Sequence, residues 1–308
     1  MYPPQIPVAA VDILNYAFVY IDPDTLDLVP MPPQDGERSM SSDEAFALMS
    51  KVTGSKLRNP KLKVWLAIGG WSFSDNNTET QPLVGTIASS PVTRYSFAYN
   101  LVRFMKQYGF DGVNIDWEYP GAPDRGGQNR DIENYPLLLQ AIRQAFNGNL
   151  GNAQWGISIT ASSSYWYLRW FDLPAIVEQV NFINLMSYDL HGIWDQDNEL
   201  GAYAWAHTNL TEVDKALELF WRNDVPPTLI NLGIAFYGRP YSLSDAVCDT
   251  PGCPFDGPGA SGDCTQTEGY LSYNEIMEII DNYGDSAVVT WDEAAGVKYL
   301  VYKSNNWL

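Results

Sequence analysis

Three polar residues at alternate positions, Asn114, Asp116 and Glu118, are the part of this 308-residue chain best equipped for chemistry. They lie in Phe110-Asp111-Gly112-Val113-Asn114-Ile115-Asp116-Trp117-Glu118-Tyr119-Pro120, where apolar residues fill the intervening places. Side chains on a strand leave on alternate faces, so these three share one face while Val113, Ile115 and Trp117 take the other. Two carboxylates together on a buried face are poorly solvated, and each raises the other's proton affinity. A strand that only packs has no use for that arrangement, whereas a general acid must hold a proton near neutral pH. A polar strand end touching water would account for one acid and leaves the column of three unexplained.

The elements that must position this column are legible from periodicity. Ile13 to Ile21 reads as a strand, followed by a Pro-rich loop from Pro23 to Pro33. Ser42 to Val52 reads as a helix capped by Ser41 or Ser42, with Phe46, Leu48 and Met49 in its apolar stripe. Further strands are predicted at Lys63 to Ile68, Trp155 to Ala161, Val180 to Met186 and Leu229 to Phe236. Helices are predicted at 92–108, Asp131 to Phe146 and Leu173 to Glu178, and at Thr211 to Asn223 with a Thr211/Asp214 cap. Alternating strand and helix predict a parallel sheet with helices outside. Strand after strand turns polar or glycine-rich at its C-terminal end, at Gly69-Gly70, Asp116/Glu118, Ser187-Tyr188-Asp189 and Tyr237-Gly238-Arg239. Such convergence favours a (β/α) barrel of the TIM type over a doubly wound sheet.

After Tyr241 the pattern changes. Residues 242–269 are rich in Gly, Pro, Ser, Asp and Cys and read as a loop with little core of its own. A helix at Tyr273 to Tyr283 and strands at Ala287 to Trp291 and Val297 to Lys303 complete a small α+β insertion. The expected organisation is a barrel over 1–239, the insertion over 240–302, and a return toward the barrel over 303–308.

Composition narrows the partners. A formal charge of −19 argues against nucleic acid and anionic membranes, and a neutral polymer is compatible with it. Aromatic residues make up 14% of the chain, including 11 Trp, which suits surfaces that stack flat apolar rings. No apolar run approaches the roughly 18 residues of a spanning helix, and the N-terminus shows no signal peptide. Cys248, Cys253 and Cys264 share one loop, predicting a local disulfide, a free thiol and an oxidising compartment. Without a nearby His they make a poor zinc site, so no metal and no cofactor is expected. His191 and His207 read as local hydrogen-bonding groups, and Asn76-Asn77-Thr78 and Asn209-Leu210-Thr211 match glycosylation sequons.

Taken with its neighbours, the acidic strand resembles the signature of glycoside hydrolase family 18 chitinases, especially the fungal subgroup related to killer-toxin subunits. Asp111-Gly112-Val113-Asn114-Ile115-Asp116-Trp117-Glu118 matches the spaced acids ending in Glu, and Ala67-Ile68-Gly69-Gly70 a second motif. Asn15-Tyr16-Ala17-Phe18, Met186-Ser187-Tyr188-Asp189 and Tyr237-Gly238-Arg239 are similar to the second, sixth and seventh barrel strands. The resemblance implies hydrolysis of β-1,4-linked N-acetylglucosamine in which the sugar's own acetamido oxygen is the nucleophile. It makes Glu118 the acid and then the base, Asp116 the holder of the acetamido N–H, and Tyr188 a donor to the acetamido carbonyl. Asn114, Tyr119, Met186, Asp189, Tyr237 and Arg239 are expected to line the same subsite. Trp71 and Trp194, with Tyr165 and Trp166, would form the sugar path, and Trp117 would pack against helices. The expected partner is chitin or a chitooligosaccharide, the expected state a monomer, and the expected location extracellular.

Departures from the family pattern carry expectations of their own. Asn114 stands where the signature has Asp. It can still hydrogen-bond Asp116 but cannot hold charge, so the pair should bind protons less tightly. The family's first strand and its last, Trp-bearing strand are not found, predicting an open sheet with exposed edges and weaker sugar binding. Two other readings use the same scaffold, a non-catalytic chitin-binding lectin and an endo-β-N-acetylglucosaminidase. Retention of Glu118 disfavours the first, and the insertion disfavours the second.

Overall fold

The structure, a computed structural model, describes residues 2–31, 40–149, 154–303 and 305–308. It divides into one unit of Met1–Ala161, Tyr165–Asn184 and Asn223–Asn231 and a second of Ser162–Ser164, Leu185–Arg222 and Leu232–Leu308.

The strands of the main sheet are β1 (Ile13–Ile21), β2 (Leu28–Pro30), β3 (Lys63–Gly69), β4 (Gly112–Asp116), β5 (Gly156–Ser162), β6 (Phe182–Met186) and β7 (Ile230–Leu232). Their spatial order is β2-β1-β3-β4-β5-β6-β7. β1, β3, β4 and β5 run parallel, and the short β2 is an antiparallel hairpin partner of β1. Between strands lie α1 (Ser42–Thr53), α2 (Leu83–Ser89), α3 (Pro91–Tyr108), α4 (Asp131–Asn149), α5 (Tyr165–Leu168), α6 (Leu173–Val177) and α7 (Leu210–Trp221). This is the alternating α/β architecture expected from the sequence. Among the described residues no pairing joins β1 or β2 to β7, so the ladder is open.

Local chemistry sets the boundaries. Ser41 caps α1 by accepting from the Glu44 amide while the Glu44 side chain returns to the Ser41 backbone. Ser90 caps α3 ahead of Pro91, and Gly109 ends it in the left-handed conformation. The cap of α7 is Asn209 rather than Thr211; its side chain accepts from the Thr211 amide and donates to Glu212. The predicted strand at 229–236 is cut to three residues, because a 3-10 turn over Pro227–Leu229 precedes it and Gly233 turns back to donate its N–H to the Leu185 carbonyl.

The sheet interior explains two glycines. The Trp65 indole lies across β4 and β5, where a Cβ at Gly112 or Gly156 would sit 2.5 or 2.0 Å from it. Trp65 also stacks on Phe182, with ring centroids 4.9 Å apart. A side chain at either glycine would therefore displace the aromatic plug. On the other face of β4, Trp117 meets Tyr135 of α4 edge-on, as its strand parity predicted.

The second unit adds β8 (Tyr237–Gly238), β9 (Tyr241–Leu243), β10 (Phe255–Pro258), β11 (Leu271–Ser272), α8 (Tyr273–Tyr283), β12 (Ala287–Asp292), β13 (Val297–Tyr302) and β14 (Asn306–Trp307). Five of these strands form a sheet in the order β10-β9-β14-β13-β12, and β11 pairs with β8. Two expectations are corrected here. Residues 303–308 do not begin a return to the barrel: β14 pairs with β13 and β9, and Trp307 packs on Tyr241 and Tyr299. Nor is 242–269 a coreless loop, since Leu243, Cys253 and Phe255 are buried in that same cluster. Ala204, Tyr299 and Trp307 of that cluster are distant in sequence, beyond the reach of local periodicity. Cys248 and Cys253 form the disulfide and Cys264 is free.

Candidate active site

β4 is buried along its whole length and ends at Asp116, two residues before Glu118; Asn114 is 4% exposed, Asp116 7% and Glu118 6%. The neighbouring strand comes unusually close at the Asp116 end. Gly69 has φ +110°, and a Cβ there would lie 2.1 Å from the Asp116 carbonyl oxygen. The Gly70 N–H donates to that carbonyl at 2.9 Å. Gly69-Gly70 is thus a backbone requirement of the acid strand rather than a generic turn.

Asn114 is fully engaged, though not directly with Asp116 as expected. Its Nδ2 donates to Thr160 Oγ1 at 2.9 Å, and its Oδ1 accepts from Ser158 at 2.8 Å and Asn184 at 2.9 Å. Asn184 in turn accepts from Asn231. Thr160, with its acceptor sites turned to Asn114, gives its hydroxyl proton to the Asp116 carboxyl. Asn114 therefore reaches Asp116 through Thr160. The Asp116 carboxyl is held well above the usual carboxylate range by burial first and by the Glu118 charge second, with the Thr160 hydrogen bond opposing both. Among the described residues, Asp116 Oδ1 is one of three buried side-chain N or O atoms with no hydrogen-bond partner. A buried acceptor left open in this way calls for a donor from outside the protein.

The segment after Glu118 is fastened by side chains. Tyr119 is buried and stacks on Tyr167 at 4.1 Å, so its ring face is used internally. Asp131 accepts from the Gly121 and Gln128 amides. Trp71, immediately after Gly70, is 51% exposed, and Tyr165 and Trp166 are exposed as well.

The remaining expected residues belong to the second unit and form a cluster there. Arg239 grips Asp189 with two bonds of 2.8 Å, from Nε to Oδ1 and from Nη2 to Oδ2. Burial raises the proton affinity of Asp189, but hydrogen bonds from His207 and Arg239 and the Arg239 charge outweigh it, leaving the carboxyl well below its usual range. Tyr237 stacks on His207, meets Tyr188 edge-on at 6.2 Å, and has its phenol pushed up by burial and by Asp189. Gly233 lets Tyr188 close in, since a Cβ there would be 2.6 Å from the phenol ring. Trp194 is 41% exposed with the Arg239 guanidinium 5.1 Å from its ring, and the Met186 carbonyl accepts from Ser163. Among the described residues no group of three or more His, Cys, Asp or Glu could hold a metal.

A model of the glycosyl hydrolases of family 18 matches residues 2–308. The chain belongs to that family. It is 32% identical over 290 residues to the secreted chitinase LysM12 of Penicillium expansum, covering 87% of this chain and 19% of that protein. It is 34% identical over 307 residues to the killer toxin subunits alpha/beta of Kluyveromyces lactis, covering 97% of this chain and 24% of that protein. This family 18 chain thus spans about a fifth to a quarter of the length of those two relatives. Among solved structures, the group IV chitinase of Ostrinia furnacalis superposes with a TM-score of 0.83 at 27% identity, covering the whole of this chain and 80% of that one. The same enzyme is known in complex with allosamidin, again at a TM-score of 0.83.

Several residues that shape the site escaped the sequence reading. Thr160 and Asn184 sit on strands read as apolar, and their inward direction follows only from register. Arg125 follows the signature in a polar loop and Asp131 opens the helix after it, and neither carries a spacing signal. Tyr270, which packs on Tyr237, carries no spacing signal, whereas His207 is the local hydrogen-bonding group expected of it.

Proposed function

We propose that this family 18 chain hydrolyses β-1,4 linkages between N-acetylglucosamine units of chitin or chitooligosaccharides, with retention and substrate assistance. Glu118 gives its proton to the glycosidic oxygen as the bond from that oxygen to the anomeric carbon breaks. The acetamido oxygen of the same sugar closes on that carbon, forming an oxazolinium. Glu118, now a carboxylate, takes a proton from water, whose oxygen opens the ring and restores the original configuration. The two acids share a proton, and when it sits on Glu118 the Asp116 carboxylate accepts from the acetamido N–H and offsets the positive charge of the ring. Tyr188 is assigned the donor role toward the acetamido carbonyl, and Trp71 and Trp194 the stacking of sugar rings.

One observation carries the reading: Asp116 Oδ1 is buried beside Glu118 with no donor of its own. An acetamido N–H supplies the missing donor without adding charge, which a hydroxyl-only sugar does less selectively. The allosamidin complex of the Ostrinia furnacalis enzyme supports the same substrate class. The Cys248–Cys253 disulfide supports an extracellular location.

The test is fluorophore release from chitobiose and chitotriose glycosides by the chain and by Glu118→Gln. A loss of about 100-fold or more in the variant, with retained affinity for chitotetraose, is expected. Equal rates would remove Glu118 as the acid. Binding without turnover in both would favour the lectin, and release only from glycoproteins the endo-β-N-acetylglucosaminidase.

A further inference from the structure

Arg125 is a cation at the end of a short surface turn, yet it is only 6% exposed, and every arm of its guanidinium is used. Nε donates to the Glu118 carbonyl at 3.1 Å, Nη2 to the Trp71 carbonyl at 2.5 Å, and Nη1 to the Asp75 carboxylate at 3.0 Å. The guanidinium carbon also lies over the Trp71 indole, 3.8 Å from the ring centroid. Burying an Arg that binds two main-chain carbonyls and one half-exposed carboxylate is costly unless the geometry it holds matters. The two carbonyls belong to the residue carrying the proposed acid and to the exposed indole after β3. A planar fork with fixed donors can join them at one spacing, which a flexible ammonium cannot.

We propose that Arg125 is a positioning residue that locks the Glu118 main chain and the Trp71 indole into one rigid unit, so that a sugar stacked on Trp71 is registered to the acid. This rests on the chitinase reading above and deepens it. The guanidinium occupies one face of the indole and leaves the exposed remainder as a preformed platform, removing the ordering cost that a mobile Trp would add on binding. Because Arg125 donates to the Glu118 main-chain carbonyl, its loss displaces the acid, and Arg125→Lys does so while keeping the positive charge in place.

The experiment compares wild type, Arg125→Lys, Arg125→Met and Asp75→Asn for steady-state hydrolysis of a chitotriose glycoside across pH. Chitotetraose affinity is measured separately with each substitution placed on Glu118→Gln. For both Arg125 variants kcat is expected to fall about 10- to 100-fold, since misplacement near 1 Å has that effect. Affinity should fall several-fold in both, while the limbs of the pH profile stay in place in Arg125→Lys, which keeps the charge. Asp75→Asn, at an exposed carboxylate, should remain folded and lose about 3-fold in kcat/KM by loosening one arm. Folded Arg125 variants with kcat and affinity both within 2-fold of the parent overturn the proposal, as does an Asp75→Asn enzyme indistinguishable from wild type should the Arg125 variants fail to fold. An inactive wild type would instead sink the chitinase reading itself.

Discussion

Asp116 and Asp189 are both carboxylates at the ends of barrel-type strands, and their surroundings drive them in opposite directions. Asp116 is buried with a single hydroxyl donor and another acid for a neighbour, so it favours the protonated form. Asp189 meets a two-bond guanidinium, an imidazole and a phenol, so it stays ionised. The first arrangement is costly for folding and leaves an acceptor open for a ligand; the second is saturated and holds its loop. A carboxylate's role here is read from whether its partners are already present.

The largest effect that would break this contrast is at Asp116. Asp116→Asn should lower kcat on a chitotriose glycoside by about 100-fold, yet leave the unfolding midpoint unchanged or higher, because it replaces a buried acid whose ionised form is disfavoured by an amide of the same shape. A variant that keeps its rate, or loses stability with it, would make Asp116 a structural residue. Asp189→Asn should do the reverse to stability and cost about 1–2 kcal/mol in denaturant unfolding, a value reduced because 35% of the carboxylate side chain is exposed. As its folded pKa is depressed, the contribution of Asp189 is present above the unfolded value and is lost as pH falls through the folded one.

A third titratable group sharpens the comparison from the basic side. His191 is buried between Asp195, 2.7 Å from Nδ1, and Glu212, 3.0 Å from Nε2. Burial lowers its proton affinity, but the hydrogen bonds and charges of the two carboxylates prevail and raise its pKa to about 9. A raised pKa places the stabilisation below the unfolded value near 6.5 and removes it as pH climbs through about 9. The melting temperature should therefore decline between pH 7 and 10 in wild type and flatten over that range in His191→Gln. The smallest effect is at Asn114. Asn114→Asp adds a negative charge and draws the Thr160 hydroxyl away from Asp116, so the acidic limb of kcat/KM should rise by about half a pH unit. An unmoved limb would uncouple Asn114 from the acids.

Much of the site was legible because its signal is local. The i, i+2 spacing of Asn114 and Asp116 needs only strand pleat to put them on one face, with Glu118 just past the strand end, and Gly69-Gly70 and Trp71 follow at the end of the neighbouring strand. The same holds for α8, whose limits at Tyr273 and Tyr283 follow from its cap and periodicity. Where pairing partners are far apart, the reading failed: β9 and β10 hide in a loop-like composition, and β14 was assigned to the wrong sheet.

By itself the chain's order of residues determined the alternating α/β plan, the acid strand and its family, since pleat, capping and turn chemistry act within a few residues. Only the tertiary structure decided that Thr160 and not Asn114 touches Asp116, that Arg125 is buried across Glu118 and Trp71, and that Asp189 is saturated while Asp116 is not. Those outcomes depend on which side chains from distant strands and loops converge on one carboxylate, and the energy of a buried polar group is set by that company rather than by its own type.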